Sequence, residues 1–396
     1  MKSQNIVIIG QGYVGLNISV AAASAGMNVV GFDINTGLIS SLKNGISHVE
    51  GIESTKIKLL QESGRLSFSI ESDVLEICDT IIIAVPTGLT ENKAPDLSNL
   101  QSAVDTIIKS TRTAKLIINE STSYPGTLRN EIAAPISNQS NIKHLFASSP
   151  ERVDPANRNW NLENTPRLLS GINELATSRA LSFYEAFCSK IVVVDTPEVA
   201  EAAKLLENSF RLVNISFINE FSMILSEMDI ESSAVIEAAS TKPYGFMKFT
   251  ASAGAGGHCI PVDPVYFQTA AKRLFSPTGL IDESLRINRN MPKYIVDKIT
   301  RDHGGDLRDK NVIIVGVAYK PNVADTRETP AAEILNELQM RDAKISWHDP
   351  LVREWNHQTS SPITNQDIAI VLTKHDGYDY SALESITYSY DCRTLS

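Results

Sequence analysis

Basic residues are the minority charge in this chain: 36 Lys and Arg stand against 46 Asp and Glu, a formal net charge of −10 with His neutral. A protein that tracks a phosphate backbone needs the opposite balance, so no nucleic-acid partner is expected. The deficit does not exclude an anionic small substrate, because local lysines and backbone N–H groups decide that. Cysteine is scarce as well. Cys78, Cys188, Cys259 and Cys392 are scattered, with no metal-ligand spacing and no disulfide framework. Neither a metal nor an oxidising compartment is expected. No apolar run reaches the length of a membrane span, and residues 1–10 run directly into a strand pattern with no signal-peptide pattern. These absences predict a cytoplasmic protein without a membrane partner. What is present is a globular composition, 42% hydrophobic and 21% charged over 396 residues. That length exceeds one ordinary core and predicts two or three domains.

The stretch that organises the rest is residues 253–264, AGAGGHCIPVDP. It places Cys259 after Gly254, Gly256 and Gly257, beside His258, with Asp263 a helical turn later. Glycine lets backbone approach a ligand closely. A lone cysteine is commonly a small buried hydrophobe. In polar or cationic company its thiolate becomes a strong nucleophile. A covalent redox step at Cys259 follows if the chain also binds an oxidising cofactor.

The N-terminus supplies that possibility. Residues 5–10 (NIVIIG) have strand length and meet GQGYVG, after which residues 16–25 are small and apolar with helical spacing. A second strand at 27–33 (MNVVGFD) ends on an acid. Strand, glycine turn, helix, strand and acid form the frame of a dinucleotide site. Gly10 would make the tight turn, Gly12 admit the pyrophosphate and Gly15 let helix pack on strand, with Tyr13 and Val14 between them. Asp33 would accept from the ribose hydroxyls. With no basic residue immediately after it, Asp33 favours NAD over NADP.

Strand and helix patterns then alternate: strands at 66–70, 80–85 and 115–119 and a helix at 97–109 predict parallel strands with crossover helices. Ligands bind beyond the carboxyl ends of such strands. Two polar turns lie there, Pro86-Thr87-Gly88 and Glu120-Ser121-Thr122, and either could equally be a plain loop. A strand at 144–148 empties into SPERVDPAN, where Glu151 and Arg152 could form a surface ion pair. Residues 198–228 read as one long helix. Lys204 and Asn208 are four apart and share a face. Such a pair is usually solvated, but apolar Ala202, Ala203, Leu205 and Leu206 suggest a buried helix. After a further helix near 278–300, a second βα unit appears: strands at 310–316, 343–347 and 368–372 and a helix at 328–340. GVAYKPNVADTRETP lies in its first turn, with Lys320 and Arg327 available for anions.

With GQGYVG, ESTSYPGT, SPERVDP, EAAKLLENSFR, GAGGHCIPVDP and GVAYKPNVADTRETPA in this order, the chain resembles the nucleotide-sugar (UDP-glucose/GDP-mannose) dehydrogenase family from about residue 5 to 393. The resemblance implies an α/β fold: an NAD-binding Rossmann domain over 1–195, a central helical dimerisation region over 196–303 and a C-terminal Rossmann-like domain over 304–396 that holds the nucleotide sugar. It makes Cys259 the nucleophile with Lys204, Asn208 and Asp263 as partners, and gives Thr122 and Glu151 the task of orienting water. It adds Thr87, Ser121, Thr122 and Arg327 to the cofactor site. For the UDP-sugar it implies Glu151, Arg152, Val153, Lys204, Asn208, Phe249, Gly256, Lys320 and Arg393. A homodimer is implied as well.

The sequence also departs from the family pattern. VPTP is here VPTG, with Gly88. PGPG before the cysteine is ASAG at 251–254, and a second glutamate common in glucose-type members is Pro155. TKPYGFM, SPER and GGHCIPVDP look like the UDP-N-acetylhexosamine branch. The expected activity is therefore NAD-dependent four-electron oxidation of C6 of UDP-N-acetylglucosamine or UDP-N-acetylmannosamine through a thiohemiacetal and a thioester. The alternatives are a UDP-glucose 6-dehydrogenase, a two-electron β-hydroxyacid dehydrogenase and a catalytically dead nucleotide-sugar binder.

Overall fold

A computed structural model describes residues 4–154, 157 and 159–395; Pro155 lies outside the described residues. The chain divides into two compact units, Met1–Leu206 with Val265–Leu274, and Glu207–Pro264 with Phe275–Ser396.

The first unit is built on an eight-stranded sheet. Its elements are β1 (Asn5–Ile9), α1 (Tyr13–Ser24), β2 (Asn28–Phe32), α2 (Thr36–Lys43), α3 (Ser54–Glu62), β3 (Leu66–Ser69), β4 (Thr80–Ile83), α4 (Ser98–Ser110), β5 (Leu116–Asn119), α5 (Ala134–Gln139), β6 (Leu145–Ser148), β7 (Arg167–Gly171), α6 (Glu174–Tyr184) and β8 (Ile191–Val193). Strand order is β3-β2-β1-β4-β5-β6-β7-β8. Along β1, Ile6 and Ile8 enter one core cluster and Val7 and Ile9 the other. Both faces of the strand are therefore covered, which is why its sequence is continuously apolar rather than alternating. Each such side chain contributes about 1.5–3 kcal/mol by leaving water. The expected parallel arrangement holds from β3 to β6. β7, which the sequence did not disclose, pairs antiparallel with β6. A parallel return needs a crossover. No helix occurs among the described residues between 149 and 166, so the chain turns back along the sheet edge instead.

Helix α7 (Pro197–Ser226) runs from the first unit into the second. The second unit continues with α8 (Ser232–Ser240), and α9 (Asp263–Arg273) begins in it. Then come α10 (Gly279–Asp302), β9 (Asn311–Val315), α11 (Pro330–Gln339), β10 (Lys344–His348), a short antiparallel ribbon of β11 (Glu354–Trp355) and β12 (Gln358–Thr359), β13 (Ile368–Val371) and β14 (Tyr388–Asp391). The sheet order is β10-β9-β13-β14, all parallel. Again alternate residues of one strand, Val312 and Ile314 against Ile313 and Val315, feed separate clusters. Among the described residues no helix is long and apolar enough to cross a membrane.

Candidate functional site

The glycine turn after β1 has the backbone a dinucleotide requires. Gly10 sits at φ +90°, and a Cβ there would meet the Ala84 carbonyl oxygen at 2.5 Å. A Cβ on Gly15 would lie 1.8 Å from the Gly10 carbonyl oxygen, so α1 packs onto the turn only through glycine. Gly12 is different: a Cβ there would meet nothing within 4 Å, which leaves open space in front of the N-terminus of α1. Gly12 caps that helix without a side-chain hydrogen bond, and its first turn, which holds Tyr13 and Val14, carries no acid. Open space and unopposed N–H groups suit a pyrophosphate. Asp33, just past β2, accepts from the backbone N–H of Gln11 at 2.8 Å and of Asn35 at 2.9 Å. These bonds fix its carboxylate while its remaining lone pairs stay available to ribose hydroxyls. The NAD frame fits.

Beyond β4 and β5 the two polar turns are anchored rather than loose. Thr87 is buried, and the Gly88 carbonyl accepts from the Tyr266 hydroxyl at 3.0 Å and the Asp96 N–H at 3.0 Å. The turn thus has side-chain support with Gly88 in place. Ser121 donates to the Val85 carbonyl at 2.8 Å, and Thr122 is half-buried beside it. The next turn is gripped by Glu201 of α7. Its carboxylate accepts from the N–H of Gly126 at 2.7 Å and of Leu128 at 2.9 Å. Burial pushes the Glu201 carboxyl up to about 7, against the pull of those N–H groups. Lys204, nearly one turn further along α7, is buried, as is Asn208.

Glu151 finds an ionic partner well beyond its sequence neighbour. It accepts from the backbone N–H of Arg152 and Val153 at 2.7 and 2.6 Å, and pairs with Arg167 at 2.7 Å. Arg152 donates to the Pro166 carbonyl at 2.7 Å. Burial alone would raise the Glu151 carboxyl; Arg167, the Val153 N–H and Lys204 outweigh it and hold it below the usual range. The same Arg167 pairs with the fully buried Glu120 at 2.6 Å, which also accepts from the Tyr184 hydroxyl. Burial pushes Glu120 up to about 7 despite that guanidinium.

In the second unit, Asn208 donates to Asp263 at 2.5 Å, and Asp263 opens α9, where a helix N-terminus favours negative charge. Cys259 is exposed, in a loop whose backbone is pinned on several sides. The Ser252 N–H donates to Asn219 at 2.8 Å, and the Ala255 N–H and carbonyl bond the Asn288 amide at 2.7 and 3.1 Å. The Cys259 carbonyl accepts from the Val262 and Asp263 N–H groups. These amides give the ASAG segment fixed geometry without proline. The glycines admit the loop of residues 319–328: a Cβ on Gly256 would meet the Glu328 carbonyl oxygen at 2.6 Å, and one on Gly257 (φ +80°) the Tyr319 ring at 2.7 Å. The Gly257 N–H donates to the Arg327 carbonyl at 3.1 Å. The geometry therefore joins the cysteine loop to the GVAYKPNVADTRETP loop. Burial and Arg327 together lower the His258 imidazole pKa.

Lys320 stands 5.7 Å above the Tyr319 ring and is half-buried. Arg327 is exposed and pairs with Asp325. Phe249 packs edge-on against Phe210 with ring centroids 6.1 Å apart. Arg393 is exposed and pairs with Asp391 at 2.6 Å. Asp349, at the end of β10, accepts from the Ala318 N–H at 3.1 Å as Asp33 does from Gln11. Here, however, His375 Nε2 fills the space 3.1 Å from its other oxygen. The second unit repeats the strand-end acid with its outer face occupied.

These units define a protein with two nucleotide-binding-type α/β sheets and a polar array carried on a long helix. The NAD binding domain model of the UDP-glucose/GDP-mannose dehydrogenase family matches residues 4–188, its central domain 198–290 and its UDP binding domain 313–394. The chain belongs to that family. It is 32% identical over 367 residues to UDP-N-acetyl-D-glucosamine 6-dehydrogenase of Pseudomonas aeruginosa, covering 89% of this chain and 84% of the relative. Among solved structures it is similar to the UDP-D-ManNAc dehydrogenase of Pyrococcus horikoshii, with TM-score 0.88, 29% identity and coverage of 99% and 96%. It is also similar to a UDP-glucose dehydrogenase of Pyrobaculum islandicum, with TM-score 0.89, 26% identity and coverage of 100% and 95%.

Arg167, Tyr184, Glu201, Asn219 and Asn288 were not singled out from the sequence, and Glu120 entered only as the first residue of a polar turn. The available signal was charge in apolar company: Arg167 opens RLLSG, and Glu201 precedes Lys204 by three on a helix rich in alanine and leucine.

Proposed function

We propose that this enzyme oxidises C6 of a UDP-N-acetylhexosamine, UDP-N-acetylglucosamine or UDP-N-acetylmannosamine, to the uronate, consuming two NAD and one water per sugar. The observation that carries this reading is the buried Asn208–Asp263 hydrogen bond in the unit that also holds Cys259 on its pinned glycine loop, in a chain similar to N-acetylhexosamine dehydrogenases. NAD supplies the hydride acceptor, once for each two-electron step. Lys204, directly or through water, removes the alcohol proton as the first hydride leaves C6. The Cys259 thiolate then adds to the aldehyde carbon, and the oxygen takes a proton to give a thiohemiacetal. Loss of that proton and of a second hydride gives a thioester. Lys204 and Asn208 stabilise the negative oxygen, a role commonly worth roughly 3–4 kcal/mol per donor. Thr122, Glu151 and Asp263 place water, whose attack breaks the C–S bond and returns the thiolate. Covalent catalysis thereby divides one hard oxidation into easier steps.

The remaining roles follow the same reading. Gly10, Gly12, Tyr13, Val14, Gly15, Asp33, Thr87, Ser121, Thr122 and Arg327 serve the cofactor. Arg152, Val153, Phe249, Gly256, Lys320 and Arg393 serve the sugar nucleotide. Residues 1–195, 196–303 and 304–396 are the proposed domains. The enzyme acts as a homodimer in the cytoplasm; support for self-association comes from Phe210, Phe217, Phe221 and Ile224, which are exposed along α7. Steady-state kinetics on UDP-N-acetylglucosamine, UDP-N-acetylmannosamine and UDP-glucose tests the substrate. A pocket shaped for an acetamido group leaves polar groups unpaired with glucose, at about 1–3 kcal/mol each, so kcat/KM should favour an acetamido sugar about tenfold to hundredfold. A higher value for UDP-glucose overturns the substrate assignment. Two NADH per sugar consumed separates the four-electron reaction from a simple alcohol dehydrogenase.

A further inference from the structure

The reversed strand β7 has a chemical consequence. Glu120 follows β5 directly, and Glu151 lies three residues beyond the end of β6. Both therefore emerge at the carboxyl edge of the sheet. A parallel β7 would present its C-terminal end there. Because β7 pairs antiparallel, with Ala147 opposite Gly171 and Ser148 opposite Ser170, its first residue, Arg167, is delivered to that edge instead. The guanidinium is 4% exposed and spans both carboxylates, Nη1 to Glu120 at 2.6 Å and Nη2 to Glu151 at 2.7 Å. Nη1 also donates to the Ser149 hydroxyl at 3.1 Å and carbonyl at 3.3 Å. The Tyr184 ring lies 4.6 Å beneath it, and the Tyr184 hydroxyl donates to the far oxygen of Glu120.

We infer that Arg167 is a positioning residue for the hydrolytic step: anchored by Glu120, Ser149 and Tyr184, it fixes the rotation of the Glu151 carboxylate that orients the attacking water. This rests on the reading of Glu151 given above. Arg167 has little exposed surface to offer a substrate and acts through Glu151. A planar fork is needed because two carboxylates must be held at once, one from each of two strands. The arrangement also accounts for a buried acid and a half-buried one beside one cation. Glu120 is held near its proton-sharing range by burial, while Glu151, tied to Arg167 and two backbone N–H groups, stays ionised.

Arg167→Lys keeps a positive charge but cannot span both carboxylates. In the full-length enzyme, thioester hydrolysis should slow about tenfold or more. Acid-quenched intact-mass spectra should show acyl-Cys259 enzyme accumulating, while KM for NAD and UDP-sugar stays within about threefold. In a Glu151→Gln background, the same substitution should change hydrolysis less than about twofold, because the two act as one unit. Parental hydrolysis by Arg167→Lys, or an equal loss in both backgrounds, overturns the inference. Ser149→Ala removes an anchor of the guanidinium without stranding a charge, so it remains informative if the lysine variant does not fold. It should hydrolyse about threefold to tenfold slower, and a parental rate there also overturns the proposal. If Glu151→Gln itself accumulates no acyl-enzyme, the water-orienting role of Glu151 fails first and this inference falls with it.

Discussion

Asn208 donates its side-chain N–H to the Asp263 carboxylate at 2.5 Å, joining a residue inside α7 to the residue that opens α9. Both are buried. The contact ties the proposed oxyanion donor to the proposed water-placing acid, so the amide's orientation is set before any substrate arrives. A hydrogen bond to a buried charge contributes roughly 1.5–3 kcal/mol. Asn208→Ala should lower unfolding free energy by about that amount in urea titrations. Asn208→Asp should cost more, because it sets a second carboxylate against the first. An alanine variant as stable as the parent would show that the bond carries no net stability.

Cys259→Ser should leave NAD and UDP-sugar binding intact and cut acid production by about three orders of magnitude or more, since an alcohol is a far poorer nucleophile than a thiolate. The thiol is exposed and its loop is held by Asn219 and Asn288, so the substitution has little core to disturb. Calorimetric titration with NAD and with UDP-sugar checks binding, and mass spectrometry of the product checks chemistry. Acid formation within about tenfold of the parent would remove the thioester from the mechanism.

What could be read from the chain was whatever is local in sequence. The apolar run of β1, the glycine turn and Asp33 lie within about thirty residues of one another, and their spacing alone specifies the frame. The burial of Lys204 and Asn208 was suggested by alanine and leucine around them on one helix. Arg167 was not legible. Its partner Glu120 lies 47 residues earlier, and the contact depends on β7 running backwards, which no periodicity encodes. Glu151 looked like half of a surface pair with Arg152 for the same reason: its ionic partner, Arg167, arrives from another strand. Glu201 reaches Gly126 across 75 residues. The glycines before Cys259 were visible as permissive backbone. That they admit Tyr319 and Glu328 depends on a loop more than sixty residues away.

Asp33 should govern cofactor choice. Its carboxylate is locked by the Gln11 and Asn35 N–H groups, so it cannot swing aside for a 2′-phosphate. The parent should use NAD with strong preference over NADP. Asp33→Ala should lower kcat/KM for NAD and narrow the ratio between the two cofactors by about tenfold or more, the loss expected for a charged acceptor. Comparable kcat/KM values for NAD and NADP in the parent would mean that the acid does not face the ribose.

The pH dependence of stability should carry the signature of Glu201. Burial raises its carboxyl from 4.5 to about 7 while two backbone N–H groups compete to keep it ionised. A raised folded-state value means the folded protein holds the proton more tightly than the unfolded chain. The stabilising contribution is therefore complete below about pH 4.5 and is lost as pH rises through about 7. Glu201→Gln removes the titration while keeping one acceptor for Gly126 or Leu128. The variant should be less stable than the parent near pH 4.5, where both side chains are neutral but the parent's fits its site. The gap should close as pH rises, by on the order of 2–3 kcal/mol between pH 4.5 and 8. Urea unfolding of both proteins at half-unit intervals measures it. A parent-minus-variant difference that stays constant across that window would mean Glu201 titrates near its ordinary value, with water reaching the turn that it holds.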